Sequence, residues 1–506
     1  MAVATLAACA LLVGAHSDGV RVTSAEPVTE LPGWEPAVES SYRPVPVNVP
    51  LCRVQGTIEE NIGFETWLPL RWNGRLLGAG VGGDAGVFNF ADMSRRLNEG
   101  FATVTTDSGH KRSDARWMAD PKARQDYEHR AVHLATQAAK SLAAEFYGRP
   151  VERSYFLGCS GGGRQALKEM QLYPLDYDGV VAGAPGPYMP LQSVRMMWFS
   201  LLQQREPAAA LGEGDWDLYE TSAVKHCDPL DGVRDGIVEN PMQCRFDTSA
   251  LECRPGQTNA CLSPAKRAML DRIAAPMLDE EGRPMDRGLQ PGVRTRPGPP
   301  SPLLRAMWAD GVYDDPDWDP STFRRTADLE AANRMMPELR ADRVNVAPFV
   351  SAGGKAILYQ GWADPSTNAD PTIDYYTALA AANGGADRLA ESVRLFMVPG
   401  MYHCRGGPGA DSFGGSGQQN REEDPDRDIL WALIRWVEDN RPPNGLVAAK
   451  LGSQGEAFTR RLCPFPQVAR YDGKGPTGDA RSYACVVDPV LDATFARAQS
   501  EQGTIQ

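Results

Sequence analysis

The stretch Ser154-Tyr155-Phe156-Leu157-Gly158-Cys159-Ser160-Gly161-Gly162-Gly163-Arg164-Gln165 decides the fold. Residues 154–157 form a short, mostly apolar run that predicts a buried strand. From 163 to 173 the apolar spacing predicts a helix that stops before Pro174. Between them lies the pattern G-x-S-x-G, made by Gly158, Ser160 and Gly162. A strand that turns sharply into a helix lifts a serine hydroxyl above the sheet, and small flanking residues let the backbone make that turn. The helix start leaves N–H groups free beside the hydroxyl, where they suit a developing negative charge. The five-residue pattern alone is weak, because glycine-rich turns are common. Flanked by strand and helix, it singles out Ser160 as a nucleophile.

The same rhythm extends outward. Residues 75–78, 102–106 and 180–183 read as strands, and 130–147 as a helix with Val132, Leu134, Ala138, Leu142 and Phe146 on one face. After a long interruption the pattern returns with strands at 355–359 and 393–398 and a closing helix at 428–439. Such alternation predicts an α/β fold, a mostly parallel sheet with helices on both faces. Residues 188–347 are rich in Pro, Gly and Asp and lose the rhythm, so they read as an inserted lid domain. The catalytic domain is then 16–187 with 348–506.

A serine nucleophile needs a base, and in the α/β-hydrolase fold the chain order is Ser, acid, His. Of six histidines only His226 and His403 follow Ser160. His226 falls in the insertion, whereas His403 follows the strand 393–398 through a short loop, so His403 is the expected base. Asp364, just past the strand 355–359, is the expected acid that orients the imidazole; Asp370 and Asp374 are rivals. The oxyanion hole is expected from Gly161 with Gly82 or Gly83, which follow the strand 75–78, although a plain glycine turn explains that loop nearly as well. Cys159 precedes the serine and Cys404 follows the histidine, so contact between Ser160 and His403 brings these cysteines within bridging distance.

Ten cysteines and a net charge of -13 bound the setting. No Lys/Arg-rich run is present, which argues against nucleic acid or an anionic membrane as partner. Cys227 with Cys244, Cys253 with Cys261, and Cys463 with Cys485 are close pairs of the kind that form disulfides in an oxidising compartment. The apolar start, residues 1–15, reads as an export signal cut before His16, although it lacks a positive n-region. Leu6-Ala7-Ala8-Cys9 also resembles a lipobox, in which Cys9 would carry a lipid. With Cys9 set aside, Cys52, Cys159 and Cys404 remain, and one thiol of the three is expected to be free. No other stretch is long and apolar enough to span a membrane.

Within the insertion, Asp228, Asp231 and Asp235 alternate with glycines between Cys227 and Cys244. Carboxylates in a kinked loop, completed by backbone carbonyls, suit Ca2+. The spacing is not that of an EF-hand, and a solvated acidic loop is the competing reading.

Taken together, Gly158 to Gln165, the run 178–185 (DGVVAGAP), Asp315 to Asp319 (DPDWD), 353–364 (GGKAILYQGWAD) and 399–404 (PGMYHC) resemble the tannase and feruloyl esterase family. The resemblance spans about residues 51–485. It implies an α/β-hydrolase core, a lid with structural calcium, and hydrolysis of esters of aromatic acids. It carries the triad onto Ser160, Asp364 and His403, the linking disulfide onto Cys159 and Cys404, and the calcium ligands onto Asp228, Asp231, Val233, Asp235 and Ile237. The family includes tannases, feruloyl esterases and mono(hydroxyethyl) terephthalate hydrolases. Two departures stand out. No cysteine occupies Met93 or its neighbours to pair with Cys52, and Gly161 stands where members often carry Thr or Glu. Trp308, Tyr313 and Trp318 are expected to wall the acyl ring, and Arg305 and Arg405 are candidates for reading a free carboxylate. The rival readings are acyl transfer to an alcohol and a catalytically inactive, calcium-dependent surface-binding protein. The substrate is a small aromatic ester, no organic cofactor is expected, and the sequence does not fix the oligomeric state.

Overall fold

The computed structural model describes residues 6–36, 39–295, 298–419 and 423–502. Its centre is one sheet of ten strands: β1 (Gly14–Ala15), β2 (Val20–Val28), β3 (Leu51–Ile58), β4 (Ile62–Pro69), β5 (Arg75–Ala79), β6 (Ala102–Thr106), β7 (Arg153–Cys159), β8 (Gly179–Gly183), β9 (Lys355–Gly361) and β10 (Val393–Val398). Their order across the sheet is β1-β2-β3-β4-β6-β5-β7-β8-β9-β10. From β6 to β10 every pairing is parallel, and from β1 to β6 every pairing is antiparallel.

The parallel half is covered on both faces, which explains its unbroken apolar runs. β8 is buried along its whole length, and so is β9 after Lys355. One face carries Phe156, Val180, Leu358 and Leu395. The other carries Tyr155, Leu157, Val181 and Ile357, under the helix Ile429–Asp439. Successive residues point to opposite faces, so each strand feeds two cores. Asp428 is the N-cap of that helix rather than its first residue: its carboxylate accepts from Leu430 N and Trp431 N and pairs with buried Arg96 at 2.8 Å.

The antiparallel half was not legible in the sequence, and it changes the reading of the N-terminus. Residues Leu6–Cys9 form a helical turn, Gly14–Ala15 pair with β2, and Cys9 is disulfide-bonded to Cys52 on β3. Cys9 and Cys52 are both fully buried. This corrects two expectations: Cys52 is paired, and Cys9 is a bridge partner rather than a lipid carrier.

Between β8 and β9 the chain leaves the sheet for 188–347. Among the described residues this insertion contains helices, 3-10 turns and isolated bridges but no paired strand. Its own apolar cores are built around Trp308, Trp318 and Phe323, and around Trp216, Tyr219 and Leu270. The three close cysteine pairs and Cys159–Cys404 all form disulfides, and no cysteine is free. After the last core helix, Leu446–Gly452 pairs with Gly455–Leu462, and Gln467–Tyr471 with Tyr483–Val487. Cys463, Ala469 and Tyr483 pack against Val233 of the insertion.

Candidate active site

Ser160 follows β7 with φ 61° and ψ −124° and immediately precedes the helix Gly161–Leu172. A residue with a side chain held there costs about 1–3 kcal/mol, so the surroundings must impose it. Ser160 N donates to Gly183 O at 2.9 Å, and Ser160 O accepts from Arg164 N at 2.9 Å. The glycines are required by space: a Cβ on Gly158 would sit 2.3 Å from Gly162 O, and one on Gly163 2.1 Å from Gly183 O. The turn therefore tolerates no side chain at either position.

Asp364 follows β9 and is 1 % exposed. Its Oδ1 accepts from Ser366 N and Thr367 N, each at 2.8 Å; its Oδ2 accepts from Gln360 Nε2 at 3.1 Å and from His403 Nδ1 at 2.7 Å. A carboxylate only accepts, so His403 carries its proton on Nδ1 and leaves Nε2 as the acceptor. Ser160 and His403 line one cavity of about 570 Å³. The Cys159–Cys404 bridge, with Cα atoms 6.0 Å apart, ties their neighbours together.

The rivals lie elsewhere. Asp370 accepts from Gln290 and Asp374 pairs with Arg287. His226 is exposed and packs against Phe246.

Gly82, Gly83 and Gly161 line the same cavity. A Cβ on Gly82 would lie 3.6 Å from Ser160 Cβ, while one on Gly161 would lie 3.0 Å from Val81 O and 3.2 Å from Gly83 O. The loop therefore closes down on Gly161, and a larger residue there would have to push it back by a few tenths of an ångström. This gives the Gly161 departure a physical consequence.

The cavity wall differs from expectation. Trp308 is fully buried in the insertion's own core, Trp318 is 7 % exposed and stacks on Tyr313, and Tyr313 hydrogen-bonds Asp328. None of the three lines the cavity. Trp308 and Trp318 instead pack in the insertion's own core, which has no sheet among the described residues to support it. Arg305 and Arg405 do not line it either; Arg305 donates to Pro316 O, and Arg405 to Gly417 O. The wall is built by Tyr42, Met189, Met196, Phe199, Leu303 and Leu304, with Arg112, Arg164 and Arg195 as its cationic residues. Burial pushes the Tyr42 phenol up to about 12. Met189, Gln192, Ser193, Met196, Phe199 and Ser200 recur at helical spacing on Met189–Arg205. That stripe was a usable signal, but periodicity alone does not say whether a face meets a core or a cavity.

The acidic loop is only partly assembled for a cation. Asp228 Oδ1 accepts from Asp235 N, Gly236 N and Ile237 N, and Asp231 Oδ1 from Val233 N. Each leaves its Oδ2 without a hydrogen bond among the described residues. Asp235 Oδ2 instead pairs with Arg460 at 2.5 Å. Burial pushes Asp231 up to about 6 and neighbouring Glu239 up to about 7. Among the described residues no three His, Cys, Asp or Glu side chains converge as a metal cluster. The donor chemistry fits a hard cation held by two carboxylates and carbonyls; the full set of three carboxylates does not converge.

A mostly parallel sheet with a strained serine at a strand–helix turn defines an α/β-hydrolase. Comparison with known proteins narrows the class. The family profile described as "Tannase and feruloyl esterase" matches residues 47–486. Feruloyl esterase C of Talaromyces stipitatus is 33 % identical over 455 residues, covering 86 % of each chain. The structure also resembles the crystal structures of an esterase and of feruloyl esterase B, both from Aspergillus oryzae. The identities are 30 % and 28 % and the TM-scores 0.86 and 0.87; each match covers 93 % of this chain and 98 % of the other. The chain belongs to the tannase and feruloyl esterase family and is a carboxylic ester hydrolase. No helix among the described residues is long and apolar enough to cross a membrane.

Proposed function

We propose that the protein hydrolyses esters of aromatic acids (hydroxycinnamic, hydroxybenzoic or gallic) through an acyl-enzyme on Ser160. The observation that carries this is the Asp364–His403 hydrogen bond, with His403 facing the same cavity as the strained Ser160. His403 Nε2 takes the Ser160 proton as Oγ attacks the ester carbonyl. The N–H groups of Gly161 and of Gly82 or Gly83 bind the oxyanion. His403 then protonates the departing alcohol, and the same nitrogen activates water to release the acid. The Met and Leu wall with Phe199 and Tyr42 suits a flat ring, and the feruloyl esterase relatives point the same way.

Calcium is proposed for the loop, with Asp228 and Asp231 as carboxylate donors and Val233 and Ile237 as carbonyl donors; Asp235 would join them only by leaving Arg460. The Arg460 pair is the competing arrangement at Asp235. When bound, the ion would supply charge that holds the loop against the C-terminal hairpins, where Val233 already packs. Five disulfides support export to an oxidising compartment.

The test is turnover of methyl ferulate, methyl gallate, methyl 4-hydroxybenzoate and mono(hydroxyethyl) terephthalate by wild type and Ser160→Ala. The expected result is hydrolysis of at least one ester, lowered by about 10⁴-fold or more in the variant. Residual turnover near wild type would overturn the mechanism, and inactivity of folded wild type on all four would overturn the aromatic-ester assignment.

A further inference from the structure

The two halves of the oxyanion site lie on separate parts of the chain, the turn after β7 and the loop after β5, and only their relative position makes a hole. The loop is held almost peptide by peptide. Asn89 Nδ2 donates to Gly80 O at 2.7 Å, and Val81 N donates to Gln165 Oε1 at 3.0 Å. Ala85 N donates to Gly82 O at 3.2 Å. Tyr127 OH donates to Gly83 O at 2.8 Å. His110 Nε2 lies 2.6 Å from Asp84 O, and since a carbonyl only accepts, the ring donates. After these bonds, the N–H groups of Gly82 and Gly83 have no acceptor among the described residues. Both glycines line the cavity that Ser160 and His403 share, where a ligand oxygen can reach them.

Gly83 is the exposed, left-handed point of this loop, with φ 64°. Among the described residues, its carbonyl bond to Tyr127 is the hydrogen bond that ties it down from outside the loop. Tyr127 is itself held by the helix that starts with Gly161. Arg164 Nη2 donates to Tyr127 O at 3.0 Å, and its guanidinium lies 4.9 Å from the phenol ring centre. Tyr127 sits in a π-helical turn, Asp126–Arg130, that precedes the helix Ala131–Tyr147. Such turns shift the side-chain register by one residue and recur at functional sites. Trp117 packs edge-on against the ring at 4.9 Å between centres.

We propose that Tyr127 is a positioning residue that clamps Gly83, and through it the loop half of the oxyanion hole, to the nucleophile helix by way of Arg164. This deepens the esterase reading above and rests on it. A hydroxyl that touches only a backbone carbonyl contributes nothing to ground-state recognition of the acid; it acts where the carbonyl oxygen gains charge.

Tyr127→Phe keeps the ring, its packing and the Arg164 bond to the main chain, and removes only the hydroxyl. The variant is compared with wild type in four measurements: turnover of the best ester, inhibition by phenylboronic acid, inhibition by the free aromatic acid, and thermal melting. Phenylboronic acid accepts Ser160 Oγ at boron, with the hydroxyl proton passing to His403, and so presents a tetrahedral centre to the hole. The expected result is a fall in kcat of about tenfold, smaller than removal of an oxyanion donor itself, with KM within twofold. Boronate affinity falls by a similar factor, while free-acid affinity and melting temperature stay put. Unchanged kcat overturns the clamp, as does equal weakening of boronate and free acid, which would make Tyr127 only a wall. Ser160→Ala separates the two claims. If it is inactive while Tyr127→Phe is fully active, the clamp fails and the esterase stands; if it is active, the esterase reading fails.

Discussion

The sheet core and the insertion between β8 and β9 meet at one cavity but contribute to it in different ways. The core supplies Ser160, Gly161, Gly82, Gly83 and His403, each at the end of a strand or in the loop after it. The insertion supplies Met189, Met196, Phe199, Leu303 and Leu304, which are side chains on helices. The core groups are fixed by backbone geometry: a strained serine, the neighbouring Gly158 and Gly163 with no room for a Cβ, and a carboxylate with four donors. The insertion groups are fixed only by packing, and a different apolar side chain of similar volume would serve. On the proposed reading, the chemistry depends on main-chain placement, and recognition on side chains held by packing.

Cross-links give the largest contrast. Cys159–Cys404 closes 245 residues and Cys253–Cys261 closes 8. By the loop-entropy relation, replacing the first pair with alanine is expected to cost about 5 kcal/mol and the second about 2.5 kcal/mol. Urea unfolding checks the order, and an equal loss would mean that strain or residual structure outweighs loop length. The core variant should also lose turnover, because Ser160 and His403 flank the bridge.

Calcium sharpens the comparison from the insertion's side. If the loop binds it, EGTA lowers the melting temperature and Ca2+ restores it. At a hundred times the dissociation constant the gain is about 2.7 kcal/mol. Asp228→Ala should abolish the response. A protein indifferent to both EGTA and Ca2+ would leave Arg460 as the loop's resident counter-charge.

The smallest expected effect separates recognition from chemistry. Met196→Ala removes a partly buried wall residue and should raise KM about fivefold, near 1 kcal/mol, with kcat within twofold. A fall in kcat with unchanged KM would place the insertion in the chemistry and erase the distinction between the two regions.

Legibility followed the same division. The parallel strands were readable because burial on both faces leaves continuous apolar runs, and G-x-S-x-G, Asp364 and His403 follow from their places at strand ends. Asp228 to Ile237 could be singled out as a loop, but its pairing with Arg460, 225 residues away, could not. Trp308 and Trp318 drew attention because large aromatic residues often wall a cavity. They proved to be core, because an insertion without a sheet must bury rings to be stable. β2 and β3 alternate between buried and more exposed residues and so lack the continuous apolar runs of the parallel strands, and the Cys9–Cys52 bridge depends on where they lie.

By itself, the sequence determined the strand–turn–helix that carries Ser160, the places of Asp364 and His403 after strands, and the cysteines beside Ser160 and His403. These are local signals: glycine spacing, apolar runs and short loops act between neighbours in the chain. Tertiary structure alone decided which side chains wall the cavity, that Cys52 meets Cys9, and that Tyr127 reaches Gly83. Those contacts join segments whose separation in sequence carries no periodicity, and they exist only once the sheet has set the distances between them.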